Sequence, residues 1–312
     1  MTQAISRWTP PSGVESHTGE PVPPDSNFFV APPPQIGEIY TAHSGWQGNK
    51  KAGQGIGSII VIILVGGLGA LLGGVLGGVF TSGEPIALAI GAVIGAICLG
   101  YIMFRSEAKK NAVSYTGAQG IARYRYNNDL EKREKGEVFL FADAVELRTS
   151  QTRHYTNGIY SGTEYNFTWT GKDGRQACRL AGRYSSEKGT PGPNDPFQYA
   201  RAAETAWSRY LLQFVSAELE RSGAFRFNLR GNNCVVAGPG FLDLYMNGQQ
   251  IRCPVDEIAN VDMNQGVITV RRKDAKDGFL GIGSTGIFRF TYGELANGRV
   301  FLMLLDKLVG VG

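Results

Sequence analysis

A three-part fold is predicted: a disordered proline-rich tail over 1–52, a two-helix transmembrane hairpin over 53–104, and an α+β region from 105 onward, antiparallel strands with closing helices. Three observations predict it. Prolines recur without period at 10, 11, 21, 23, 24, 32, 33 and 34. Two uncharged apolar runs, Gly55 to Phe80 and Ile86 to Phe104, follow in succession. Beyond about 113 the apolar residues alternate in short stretches bounded by turn residues, as half-buried strands do.

Composition sets the outer limits. The chain has 312 residues, 43% of them apolar and 19% charged, the latter below the roughly 25% of a typical soluble domain. Glycine makes up the difference, with 43 residues, 14 of them within 53–104, and without the three-residue period of collagen. Cysteines at 98, 178, 234 and 253 are too few and too dispersed for a disulfide scaffold or a zinc site. A net charge of +4 is too mild to indicate nucleic-acid binding.

The tail, 1–52, offers too little apolar periodicity to offset the entropy of ordering it. Pro21-Val22-Pro23-Pro24 and Pro32-Pro33-Pro34 favour polyproline II, and the segment reads as a spacer. The apolar runs, spans of about 56–80 and 86–104, each approach the ~20 residues that cross a hydrocarbon core. Lys50 and Lys51 before them and Arg105, Lys109 and Lys110 after them, against Glu84 alone between, predict a multi-pass protein of the inner (plasma) membrane with both termini cytoplasmic. Small residues recur every four positions: Gly69, Gly73 and Gly77; Gly66, Ala70, Gly74 and Gly78; Ala87, Gly91 and Gly95. Such stripes let helix backbones approach closely, within the hairpin or in a homo-oligomer.

In the third part, Val138–Phe141 and Ala144–Arg148 suggest a strand pair turned at Ala142-Asp143. Tyr165–Thr170 alternates and turns at Lys172-Asp173-Gly174. A helix is expected from Asp195 as N-cap and Pro196 to a stop at Gly223, with Phe197, Ala200, Ala203, Trp207, Leu211, Phe214 and Val215 as its apolar stripe. Further strands turn at Asn247-Gly248 and near Gln265-Gly266. A last helix follows Asn297, with Val300, Phe301, Leu304 and Leu308 on one face.

Strands followed by one closing helix, twice over, resemble pleckstrin-homology-like (PH-like) folds. The stretch "FLDLYMNGQQIRCPVDEIANVDMNQGVITV" and the closing "NGRVFLMLLDKL" resemble bacterial PH-like or GRAM-like domains, and the chain resembles bacterial membrane proteins that carry them. The resemblance implies two tandem PH-like units, 105–222 and 223–312, each with a C-terminal helix. It carries over no catalytic residue.

Chemistry is sparse. His154 lies outside the tail but has no nucleophile elbow to serve, and His17 and His43 fall in the tail. Glycine-rich Gly53–Gly57 and Gly281–Gly283 lack the setting of a phosphate loop. Asp256, Glu257 and Asp262 are placed to pair with Arg271 or Arg272 across strands. What stands out is basic character: Lys109 and Lys110 beside the expected bilayer, Arg123 and Arg125 on one strand face, and Arg271, Arg272, Lys273 and Lys276 at a strand end. The function expected is therefore a non-enzymatic integral membrane protein whose cytoplasmic PH-like module binds lipid head groups or a protein partner, with Arg271, Arg272, Lys273, Lys276, Lys109 and Lys110 as lipid contacts. The alternative is a glycine-zipper membrane oligomer acting as scaffold or pore. No cofactor, metal or nucleic acid is expected.

Overall fold

Residues 8–46, 112–125, 135–186, 191–276 and 285–309 are described in the computed structural model. Their backbone makes four antiparallel sheets and two α-helices, in an order that occurs twice. Strands β1 (Ile39–Ser44), β2 (Ala112–Gly117), β3 (Gly120–Arg125) and β4 (Lys135–Leu140) form a four-stranded sheet in sequence order. Strands β5 (Glu146–Thr156), β6 (Ile159–Thr170) and β7 (Gln176–Tyr184) form a three-stranded one, and helix α1 (Pro196–Ser222) follows. The second half repeats this with β8 (Phe225–Asn228), β9 (Cys234–Gly238), β10 (Phe241–Met246) and β11 (Gln249–Pro254), then β12 (Ile258–Asn264), β13 (Val267–Lys276) and β14 (Thr285–Thr291), then α2 (Gly298–Val309).

The expected transmembrane architecture is corrected by this fold. The structure is mostly antiparallel sheet, and among the described residues no helix is long and apolar enough to cross a membrane. Helix α1 has 27 residues, but Arg201, Glu204, Arg209, Glu218, Glu220 and Arg221 interrupt it. Helix α2 has 12 residues, about 18 Å at 1.5 Å per residue, against a hydrocarbon core of about 30 Å. The spans expected within 53–104, Gly66, Gly69, Gly73, Gly74, Gly77, Gly78, Gly91 and Gly95 among them, lie outside the described residues, as do Lys109 and Lys110. The integral-membrane function, the glycine-zipper alternative and the multi-pass location thus have no described element to rest on.

The tail is corrected too, because much of it is folded. Phe28, Phe29, Ile36, Ala42 and Trp46 bury with Val113, Tyr115 and Ala122 of β2 and β3 in a small core of their own. The Trp8 ring stands edge-on to Phe28 at 5.1 Å and to Tyr115 at 5.3 Å. Burial of several aromatics at roughly 25 cal/mol per Å2 offsets the ordering entropy that composition alone suggested was unmet. Proline assists here: Pro34 opens a 3-10 turn, Pro34–Ile36, that delivers Ile36 to the core. Residues 39–44 then become β1, which pairs with β2 although residues 45–111 separate them in sequence.

One close approach locks the segment down. Gly117 closes β2 beneath the Ile36 carbonyl, and a Cβ there would collide with that oxygen and lie 3.0 Å from Glu38 O. Gly117→Ala is expected to destabilise the fold by about 1–3 kcal/mol, as overpacking does. Urea unfolding measures this, and an unchanged midpoint would show that the segment is not held there.

Local signals were kept in the second half of the chain. Asp195 caps α1 by accepting from Phe197 N at 2.8 Å, Pro196 occupies the first turn, and Gly223 ends the helix at φ 72°. Asn247-Gly248 and Gln265-Gly266 take the paired positive φ values of tight hairpin turns. Two expectations fail. Phe214 is 53% exposed rather than in the α1 stripe. Val138–Phe141 and Ala144–Arg148 do not pair: β4 pairs with β3, and a 3-10 turn at Phe141–Asp143 carries the chain into the next sheet. The cause is Phe141, which is fully buried against Trp207 at 5.5 Å. The main core is continuous from Phe139 and Trp169 through α1 to Phe227, Phe290 and Phe301, so the two halves share it.

Candidate functional site

A cleft of about 280 Å3 opens where the N-terminal segment meets α1. Its first wall is one face of that helix. Gln198, Arg201, Ala202, Thr205, Ala206 and Arg209 recur at three- and four-residue steps, beside the apolar stripe that faces the core. Arg299, one residue into α2, closes one end.

The opposite wall is the tight turn Ser16–Glu20. Ser16 N donates to Glu20 O at 2.6 Å and Gly19 N to Ser16 O at 3.0 Å, with Gly19 at φ 84°. Glu15 anchors this turn alongside β1: its N–H donates to Tyr40 O at 3.1 Å and its carbonyl accepts from Ala42 N at 2.8 Å. The turn leaves Thr18 and Gly19 at the lip and sends His17 inward.

His17 forms the floor. Its Nδ1 lies 2.7 Å from Thr41 Oγ1 and its Nε2 lies 2.8 Å from Ser114 Oγ; Thr41 Oγ1 continues to Thr116 Oγ1 at 2.7 Å. Both ring nitrogens are therefore occupied by hydroxyls, which donate or accept as the tautomer requires. Burial, then the nearby His43 and Arg123, push the His17 pKa down from 6.5 to about 3. The ring is neutral at ordinary pH. Tyr199 faces it at 5.2 Å, and burial raises the pKa of that phenol.

The arginines are the chemically distinctive members. Among the described residues, Arg201, Arg209 and Arg299 have no carboxylate oxygen within ion-pair distance, as is also true of Arg153, Arg179 and Arg226, but these three converge on one cleft. Arg209 lies over the Tyr40 ring at 5.1 Å, which orients its guanidinium without neutralising it. Glu15 is the carboxylate in the lining. A concave surface with three guanidiniums, the Thr18 hydroxyl at the rim and a neutral floor is suited to oxyanions.

The basic residues singled out in the sequence lie elsewhere. Arg271, Arg272, Lys273 and Lys276 all belong to β13. Arg272 is held by Glu257 at 2.9 Å and Asp274 at 3.0 Å, so its charge is already met within the fold. The expected cross-strand pairing thus forms with Glu257, while Asp262 stands opposite Thr269. Lys273 and Lys276 are exposed. Arg123 turns inward from β3, and burial lowers its pKa. His154 pairs across β5 and β6 with Glu164 at 3.3 Å.

Sequence reasoning missed the cleft. The signal on α1 was present as a second stripe, Gln198, Arg201, Thr205 and Arg209, beside the apolar one. The His17 wall had no signal, because it depends on the folding of a segment read as disordered. No family model matches this chain, and no curated protein matches it.

Proposed function

We propose that this chain is a non-enzymatic binding protein whose α1 cleft takes a small oxyanion ligand, one bearing phosphate or carboxylate groups. The observation that carries this is the convergence of Arg201, Arg209 and Arg299 without ion-pair partners among the described residues. A charge-assisted hydrogen bond from an arginine is roughly twice as strong as a neutral one, and its fork matches two oxygens of phosphate or carboxylate. Thr18 adds a neutral hydroxyl at the rim, while the Thr205 hydroxyl donates to Arg201 O at 3.0 Å. At about 280 Å3 the cleft is near the small end of ligand sites, which favours a compact molecule.

The chemistry of the floor supports binding over catalysis. His17 has both nitrogens engaged by hydroxyls, and a pKa near 3 makes it a weak base. The twice-repeated order of four strands, three strands and a helix supports reading each half as a PH-like unit, with the cleft along the helix of the first and closed by Arg299 of the second.

Calorimetric titration of the purified 312-residue chain with inorganic phosphate, pyrophosphate and citrate, at fixed ionic strength with chloride as control, tests the proposal. We expect saturable binding of at least one oxyanion. Arg209→Gln with Arg299→Gln is expected to weaken it at least tenfold, the equivalent of about 1.4 kcal/mol. Absence of binding, or equal binding by the double variant, overturns it.

A further inference from the structure

We infer that the free edge of β14 is a docking site for an extended acidic peptide, which joins the sheet there as an added strand. A second cleft, of about 330 Å3, lies on the second half of the chain and shares no lining residue with the α1 cleft. Four consecutive residues of β14, Ile287 to Phe290, line it. Successive side chains on a strand point to opposite faces, so a cleft lined by four in a row runs along the strand's edge.

The register of the ladder shows what that edge offers. β14 is the last strand of its sheet, with β13 on one side. Thr291 stands opposite Val267, and Tyr292 N donates to Gly266 O at 2.7 Å, one step beyond that pair. Thr291, Arg289 and Ile287 therefore occupy the non-hydrogen-bonded positions, while Phe290 and Phe288 exchange bonds with Ile268 and Val270. The N–H and C=O groups of Ile287 and Arg289 thus point away from β13. Among the described residues they have no backbone partner, whereas Thr291 O accepts from Glu294 N at 3.1 Å. Unpaired groups of this kind are a template for another strand. Edge addition already occurs once within the chain: Glu15 bonds to Tyr40 O and Ala42 N along β1, the edge strand of the first sheet.

The opposite wall comes from the turns of the neighbouring sheet and is fixed. Leu229 N donates to Asn233 O at 2.9 Å, and Asn233 Oδ1 accepts from Asn247 N at 2.9 Å, which ties the turn after β8 to the turn after β10. Leu229 and Met246 give this wall apolar surface, and Arg230 gives it charge. Arg230 and Arg289 are both exposed, and among the described residues neither has a carboxylate within ion-pair distance. Glu294 is the carboxylate in the lining, so two guanidiniums face one acid. An acidic strand meets this charge. A second copy does not, because antiparallel pairing of two β14 edges about Arg289 would set two guanidiniums opposite each other.

The probes are blocked seven-residue peptides in which valine alternates with glutamate or with lysine. Binding to the 312-residue chain is read by fluorescence anisotropy of the labelled peptide, and its place by amide hydrogen exchange. We expect the glutamate peptide to bind at least tenfold more tightly than the lysine peptide and to slow exchange at Ile287 and Arg289. Phe288 and Phe290, already bonded to β13, are expected to change little. Glutamates opposite Arg289 turn their own N–H groups toward β14. Methylating the glutamate nitrogens is therefore expected to abolish binding, and methylating the valine nitrogens to spare it. Arg230→Glu with Arg289→Glu, a change of two exposed side chains, is expected to reverse the preference between the peptides. Absence of binding by the glutamate peptide, binding indifferent to the Arg230 and Arg289 reversal, or unchanged exchange at Ile287 and Arg289 overturns the inference. Dimerisation of the free chain that protects the same amides also overturns it, by making the occupant a second copy.

Discussion

Asn297→Ala is expected to destabilise the chain by about 3–5 kcal/mol, more than any other single side-chain truncation outside the aromatic core. Asn297 is 7% exposed and lies between the two halves of the molecule. Its Oδ1 accepts from Leu147 N at 2.9 Å and from Trp207 Nε1 at 3.0 Å. Its Nδ2 donates to Val145 O at 3.3 Å. Its own N–H donates to Leu147 O at 2.7 Å, and its carbonyl accepts the first bond of α2, from Phe301 N at 3.1 Å. One residue thus ties β5, α1 and α2 together.

Alanine removes the acceptor and leaves two buried donors, the Leu147 amide and the Trp207 indole, without partners. Each such orphan costs about 1–3 kcal/mol. The backbone adds to this. Asn297 has φ 57°, in the left-handed region that asparagine tolerates and alanine resists. Asn297→Gly relieves the backbone term and retains the orphans, so it is expected to fall between wild type and Asn297→Ala. Trp207→Phe deletes one of the two donors. The double variant is therefore expected to lose less than the sum of the singles, by at least 1 kcal/mol. Urea unfolding of the wild type and the four variants measures this, and strict additivity of Asn297→Ala and Trp207→Phe would show that the indole bond is not part of the tie.

What the sequence made legible was whatever depends on a few neighbouring residues. Asp195, Pro196 and Gly223 bound α1 because caps act within one turn. Asn247-Gly248 marks its hairpin because positive φ is a property of those two residues. The N-terminal segment was illegible for the opposite reason. Its anchors, Trp8, Phe28, Phe29, Ile36 and Trp46, have no common period. Trp8 and Phe28 meet Tyr115 of β2, more than 60 residues away in sequence, and the cluster they form with Phe29, Ile36 and Trp46 also takes in residues of β3. The cleft combines residues 15–19, 40–41, 116, 198–209 and 299, a set that only tertiary folding assembles. The basic cluster of β13 was visible as a run of charges, but the neutralisation of Arg272 was settled by the register that brings Glu257 to it. Phe141 shows the same limit on a short scale: alternation placed it in a strand, and the core took it into a turn.

Acidification is expected to weaken the attachment of the N-terminal segment well above the pH at which most carboxylates titrate. His17 is 8% exposed and bonded through both nitrogens, and its pKa is held at about 3 against 6.5 when unfolded. Between those values the unfolded chain binds a proton that the folded chain does not. Stability therefore rises with pH through this window; it is complete above about 6.5 and is lost progressively as pH falls toward 3. At 1.36 kcal/mol per unit the full loss is on the order of 5 kcal/mol, and about 2 kcal/mol of it falls between pH 6.5 and 5. His43, 5.9 Å away, is shifted down by burial and adds to the loss with the same sign. A proton on His17 would meet Arg123 and His43 as well as the desolvation cost, so local release of Ser16–Glu20 precedes global unfolding. His17→Gln, which offers an amide to the Thr41 and Ser114 hydroxyls without titrating, is expected to flatten the profile between pH 7.5 and 5. Urea unfolding at four pH values, with hydrogen exchange at residues 15–19 and 40–42, measures both effects. Parallel pH profiles for the wild type and His17→Gln would mean that the ring already takes its proton in place, and the dry hydroxyl-bonded floor described for it would be wrong.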